Sequence, residues 1–152
     1  MLRGALIGCG FFAINHLQGW KSAKGAEIIA ICDRSPERLT LVGDQFGIIA
    51  RYVDAAEMLA KEKLDFVDIA TTAPTHRSLA EMAAANGVAV ICQKPFAPTL
   101  DDAKAIVAAC EKAKVPLMVH ENFRWQSPIQ RVKQVIDTGE IGDVFWGRVS
   151  FR

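Results

Sequence analysis

LRGALIGCGFFA, residues 2–13, passes from a nearly continuous apolar run through a glycine turn into a helix-like stretch, and its reading decides the fold. An apolar run such as Leu2–Ile7 suits a strand whose sheet is covered by helices on both faces. Gly8-Cys9-Gly10-Phe11-Phe12-Ala13 has the form G-x-G-x-x-A. Gly8 permits the tight turn, and Gly10 lets the backbone approach a pyrophosphate with no Cβ in the way. Ala13 is small enough for the helix to lie close on the strand. Phosphate would then sit on the free N–H groups and positive dipole end of that helix, with Phe11 and Phe12 beside it. Short glycine patterns arise in many tight turns, so the match alone is weak. Its weight comes from Asp33, 23 residues after Gly10 at the end of the second apolar run, where a carboxylate can accept both ribose hydroxyls.

Outward from this turn, apolar runs alternate with amphipathic segments. Strands are predicted at Glu27–Cys32, Ala50–Val53, Phe66–Thr71, Val88–Cys92 and Pro116–Val119. Ser35-Pro36-Glu37 opens a helix that Phe46-Gly47 closes, and Asp54-Ala-Ala-Glu57 opens another running to about Lys61. A helix over His76–Ala85 is stopped by Asn86-Gly87, and Thr99 caps a further one. Six strands with helical crossovers predict an α/β fold, a doubly wound parallel sheet of Rossmann type with strand order 3-2-1-4-5-6. From Ser127 the character changes. A helix is expected from about Pro128 to Asp137, then a strand over Asp143–Arg152 with no partner after it. The expected division is a dinucleotide-binding domain over residues 1–122. Residues 123–152 are then the helix and first strand of a second, truncated α+β domain, and the chain reads as too short for a whole enzyme.

Composition limits the function classes. Hydrophobic residues make up 51% of the 152 and charged residues 23%, a globular balance, and the net charge of +1 includes no basic block. A nucleic-acid partner is therefore not expected. The opening MLRGALIGCG lacks the long apolar region of a signal peptide, and no stretch reads as a membrane span. Cys9, Cys32, Cys92 and Cys110 form no C-x-x-C pair, so buried free thiols in a reducing cytoplasm are expected, with no metal.

Ligands of open α/β sheets lie beyond the carboxyl ends of the strands. That rule singles out Thr71, Thr72, Pro74 and His76 after the fourth strand, Gln93 and Lys94 after the fifth, and Asn122 after the sixth. Asp33 would crowd and repel a 2′-phosphate, which favours NAD over NADP. Arg34 leaves NADP as the alternative, since it could take that phosphate or stack on adenine, or be a solvated arginine. Lys94 reads equally as a ligand contact or a surface residue. His76 reads as a cofactor contact or a helix-start structural residue, and His16 as packing rather than catalysis.

GCGFFAINHL, AEIIAICDRSPER, ATTAPTH, CQKPFA and ENFRW…IDTGEIGDV, in that order, resemble the glucose–fructose oxidoreductase and inositol dehydrogenase family over essentially the whole chain. The resemblance implies a Rossmann domain followed by a mixed α/β domain whose open sheet often makes homo-oligomers. It implies hydride transfer between nicotinamide and a sugar, cyclitol or related hydroxy compound. Gly8, Gly10 and Ala13 match the family's dinucleotide turn, Asp33 its ribose acid, and Thr72, Pro74 and His76 its loop beside the cofactor. Lys94-Pro95 matches the family's Glu-Lys-Pro, whose lysine helps polarise the reacting oxygen and makes Lys94 the catalytic candidate. Gln93 replaces the usual glutamate and so removes a negative charge beside Lys94. The family's acid/base histidine lies in the second domain, so the chain alone is expected to bind cofactor without turnover. A non-catalytic NAD(P)-binding module or sensor is the competing reading.

Overall fold

The apolar runs become the strands of one parallel sheet. In the computed structural model, which describes residues 1–150, these are β1 (Leu2–Ile7), β2 (Ala26–Cys32), β3 (Ala50–Tyr52), β4 (Phe66–Ile69), β5 (Ala89–Gln93) and β6 (Leu117–His120). Their order is β3-β2-β1-β4-β5-β6, with every neighbouring pair parallel. This is the doubly wound arrangement expected, and the order reverses between β1 and β4. The crossovers are α1 (Ala13–Ser22), α2 (Pro36–Phe46), α3 (Ala55–Lys61), α4 (Ala73–Ala85) and α5 (Leu100–Ala113).

Side-chain alternation along each strand feeds two core layers. On one face Ala5, Ile7, Val67, Ile69, Val90 and Cys92 pack with Met58, Ala80, Ala83, Ile106 and Cys110 from α3, α4 and α5. On the other, Leu6 and Ile31 meet Ala13 and Leu17 of α1 and Leu39 and Val42 of α2. Ser35, Asp54 and Thr99 cap α2, α3 and α5 as expected, each side chain accepting a hydrogen bond from the backbone N–H three residues on.

The chain divides into two compact units, Met1–His120 and the residues from Glu121 onward. The second holds a short 3-10 turn at Asn122–Trp125 and α6 (Ser127–Asp137). The strand expected over Asp143–Arg152 is absent from residues 143–150, and residues 151 and 152 lie outside the described part. A strand takes its backbone hydrogen bonds from a neighbour. None of the described strand pairings involves this segment, so its β-branched and aromatic residues stay irregular.

Candidate functional site

A crevice of about 570 Å³ opens beyond the carboxyl ends of β1, β2 and β4, where the strand order reverses. The glycine turn forms one wall. Gly8 has φ +103°, and a Cβ there would come within 2.9 Å of the Ala70 backbone, so only glycine fits. Gly10 differs: its φ lies outside the left-handed region, and a Cβ would meet no protein atom within 4 Å. The space in front of Gly10 is open to a ligand. Ala13 is fully buried beneath the turn, while Phe11 and Phe12 line the crevice and Phe11 is 93% exposed.

Helix ends supply the electrostatics. The N-terminal ends of α1 and α4 border the crevice, and neither has a side-chain cap or an acid in its first turn. In the same unit α2, α3 and α5 have both. Uncapped N–H groups and the positive dipole end make a ready anion site.

Asp33 stands at the mouth of β2. Its Oδ2 accepts from Cys9 N at 2.7 Å and its Oδ1 from Ser35 N at 2.9 Å. These bonds fix the carboxylate against the glycine turn, and each oxygen keeps a lone pair for a further donor. Arg34 lines the crevice beside it, and so does Arg38, which the sequence reading missed. Arg34 precedes the Ser35 cap and only Arg38 is in α2, so no helical spacing marked it in the sequence. Val53 and Asp54 close the floor beyond β3.

Across the crevice, Thr71 and Thr72 line the wall after β4, and Thr75 Oγ1 lies 2.8 Å from Thr71 Oγ1. Pro74 occupies the first turn of α4 and is exposed. His76 is fully buried. Its Nδ1 lies 3.1 Å from Phe96 O and its Nε2 3.2 Å from Thr71 O, so the ring ties the loop after β4 to the loop after β5. Lys94 is exposed in that second loop. Gln93 is buried, its Oε1 accepting from Lys94 N at 2.7 Å and its Nε2 lying 2.9 Å from His16 Nε2. Pro74, His76, Gln93 and Lys94 are thus not among the crevice-lining residues. Asn122 belongs to the second unit, where its Oδ1 is buried with no hydrogen-bond partner among the described residues.

His16 leads to a second residue the sequence reading missed. Asp68, 1% exposed on β4, receives His16 Nδ1 at 2.8 Å and Trp20 Nε1 at 2.7 Å on its Oδ2. An acid inside the apolar run FVDI was the available signal, because a buried carboxylate requires partners. All four cysteines are free and buried. Burial pushes the thiols of Cys9 and Cys92 up to about 12 and that of Cys32 to about 11, with nearby carboxylates adding to each.

Residues 2–121 match the oxidoreductase family with an NAD-binding Rossmann fold designated Gfo/Idh/MocA. The chain belongs to the Gfo/Idh/MocA oxidoreductase family. The motif resemblance therefore holds, and the matched region is that family's NAD-binding Rossmann domain. Among Gfo/Idh/MocA relatives, a D-apiose dehydrogenase of Rhizobium rhizogenes is 66% identical over 151 residues, 99% of this chain and 44% of that protein. The structure of an oxidoreductase from Agrobacterium radiobacter in complex with NAD+, L-tartaric acid and magnesium has TM-score 0.94 at 66% identity. The match covers 95% of this chain and 42% of that one. The WlbA dehydrogenase from Bordetella pertussis, in complex with NADH and UDP-GlcNAcA, has TM-score 0.86 at 32% identity, over 93% and 43% of the two chains. The chain thus spans less than half the length of these relatives. No helix among the described residues is long and apolar enough to cross a membrane.

Proposed function

We propose that this chain is the cofactor half of a cytoplasmic, homo-oligomeric NAD-dependent dehydrogenase that acts on a sugar or related polyol. Residues 123–152 would begin its substrate domain. The observation that carries the reading is the Asp33 carboxylate, clamped by two backbone N–H groups against the glycine turn, in a crevice that also borders the uncapped start of α1. Asp33 would accept the ribose hydroxyls, and the backbone at Gly8 and Gly10 with the start of α1 would receive the pyrophosphate. Arg34 and Arg38 would flank the adenosine end. A 2′-phosphate would face the charge of Asp33, which favours NAD over NADP. Thr71, Thr72 and Pro74 would hold the central part, with His76 fixing their loop from beneath. When bound, the dinucleotide supplies the hydride acceptor at its nicotinamide.

Lys94 is assigned to the nicotinamide end, where its ammonium would stabilise charge developing on the substrate oxygen. Gln93 would hold its backbone, and Asn122 would reach substrate or cofactor. The 66% identity to a D-apiose dehydrogenase makes D-apiose the first substrate to try. The general base is assigned to a residue outside this chain. His16 and His76 are buried with both ring nitrogens engaged, so neither can take a hydroxyl proton from substrate.

Calorimetric titration tests the cofactor assignment. Asp33→Ala should weaken NAD binding on the order of ten- to a hundredfold, the equivalent of about 1.5–3 kcal/mol. Equal binding by both proteins sinks the ribose role, and tighter NADP than NAD binding by the unaltered chain reassigns Arg34 and Arg38. Fusing residues 1–152 to the remainder of the R. rhizogenes enzyme tests the rest. The fusion should form NADH from NAD and D-apiose while the isolated chain forms none. Lys94→Met in the fusion should lower kcat far more than NAD affinity.

A further inference from the structure

Beneath α1, on the face of the sheet away from α4 and α5, a line of buried polar side chains joins two strands through that helix. Asp68 (β4), His16 (α1) and Gln93 (β5) lie in contact in that order, and Gln93 ends the line at the backbone N–H of Lys94. The positions of the hydrogens follow from which groups can only donate and which can only accept. Lys94 N–H can only donate, so the atom of Gln93 that meets it at 2.7 Å is the amide oxygen. The amide nitrogen then faces His16 Nε2 at 2.9 Å and can only donate, so that ring nitrogen carries no hydrogen. His16 Nδ1 carries one instead and donates it to Asp68 Oδ2 at 2.8 Å, an oxygen that also accepts from Trp20. His120 Nδ1 also stands 3.2 Å from His16 Nε2 with the rings perpendicular, and it can donate or accept according to its own tautomer.

We propose that Asp68, His16 and Gln93 form a directed hydrogen-bond relay that positions Lys94, with His16 held as the tautomer protonated on Nδ1. Every donor in the relay points toward Asp68: Lys94 N–H to Gln93, Gln93 N–H to His16, His16 N–H to the carboxylate. A buried negative charge polarises such a chain in one direction, and each bond strengthens the next. The three side chains are positioning residues, since none of them lines the crevice. The identity of the residue at 93, two hydrogen bonds from the carboxylate, therefore decides the state of the ring between them. A carboxylate at that position could only accept, so it would require a hydrogen on His16 Nε2 as well. That ring would then be a cation between two anions. The amide gives the same total charge without a buried ion pair, a simpler interior to desolvate. The value of Lys94 to catalysis rests on the function proposed above; the direction of the relay does not.

Nuclear magnetic resonance of the 152-residue chain labelled with ¹⁵N-histidine reads the relay directly, with His16→Gln identifying the ring. In the unaltered chain His16 Nδ1 should resonate as a protonated nitrogen and Nε2 as an unprotonated one. In Gln93→Glu both should be protonated. In Asp68→Asn, whose carbonyl can still accept from Nδ1, Nε2 should stay unprotonated. A protonated Nε2 in the unaltered chain overturns the proposal, and so does an unchanged ring in Gln93→Glu. Amide exchange at Lys94 gives a second reading. Gln93→Ala should speed it about tenfold, as expected for loss of one net hydrogen bond, and an unchanged rate removes the positioning role. If the relay reads as expected while Lys94→Met leaves turnover intact in the fusion enzyme, the catalytic role of Lys94 fails and the relay stands.

Discussion

Gly8 and Gly10 stand two residues apart and are required for different reasons. At Gly8 both the positive φ and the 2.9 Å approach to Ala70 exclude a side chain, so Gly8→Ala should destabilise the fold by about 1–3 kcal/mol. At Gly10 the protein itself sets no such limit. Gly10→Ala should leave unfolding within about 0.5 kcal/mol of the parent, yet weaken NAD binding at least tenfold. Urea unfolding and calorimetry on the same two variants separate the cases, and a Gly10→Ala chain that binds NAD normally would move the pyrophosphate elsewhere. Trp20 offers a third test. It gives Asp68 Oδ2 one of its two donors, while Asp68 Oδ1 has no partner among the described residues. Trp20→Phe keeps a ring beside Phe66 but removes the N–H, at a cost of about 1.5–3 kcal/mol by denaturant unfolding. At this scale the tight glycine turn between β1 and α1 was legible in the sequence, because a local pattern of glycines marks it. Asp68 was not, because its partners lie 48 and 52 positions away.

Elements were legible where a local signal begins or ends them. Asp54 accepts from Glu57 N at 2.8 Å and starts α3 where the capping-box reading put it. Asp54→Ala should cost about 1 kcal/mol, and thermal unfolding will show whether α3 depends on that cap. Where the signal is tertiary, the ends moved. The fourth strand closes at Ile69 rather than Thr71, because β4 pairs with β1 and β5 only as far as Ile69. Beyond it Thr71 and Thr72 leave the sheet to line the crevice. α4 begins at Ala73, three residues before the expected start, because Pro74 is acceptable in a first helical turn. The segment 143–150 shows the converse. Its pattern fits a strand, but pattern alone supplies no hydrogen-bonding partner.

For the molecule as a whole, the buried thiols set a limit at alkaline pH. Cys9, Cys32 and Cys92 ionise only near pH 11–12 in the folded chain, against an ordinary value of 9.0. The raised folded values mean that above about pH 9 the unfolded chain binds fewer protons than the folded one. Stability is then full below pH 9 and falls as pH rises toward 12. Urea unfolding midpoints at pH 8 and pH 10.5 should differ in that direction; equal midpoints would show that these thiols ionise freely in the fold. The strand order was legible because parallel strands joined by helical crossovers admit few topologies. The relay through positions 16, 68, 93 and 94 was not, because it exists only once the sheet has closed.

The reversal of strand order between β1 and β4 also bears on the sequence of events in folding. Gly4 of β1 meets Phe66 of β4, 62 residues later, whereas Leu2 meets Ala26 after only 24. Closing the longer loop costs ~0.8 kcal/mol more chain entropy, so the two halves of the sheet should assemble first and join along β1–β4 last. The crevice straddles that late seam, with walls from both halves. Interactions made after the rate-limiting step slow unfolding and leave folding unchanged. Ile69→Val should therefore speed unfolding more than it slows refolding, and saturating NAD should slow unfolding while the refolding rate stays fixed. Stopped-flow kinetics in urea reads both, and refolding accelerated by NAD would mean that the seam closes early. On this account the dinucleotide acts as a latch across the last joint to form, governing how long the native state lasts rather than how quickly it is reached.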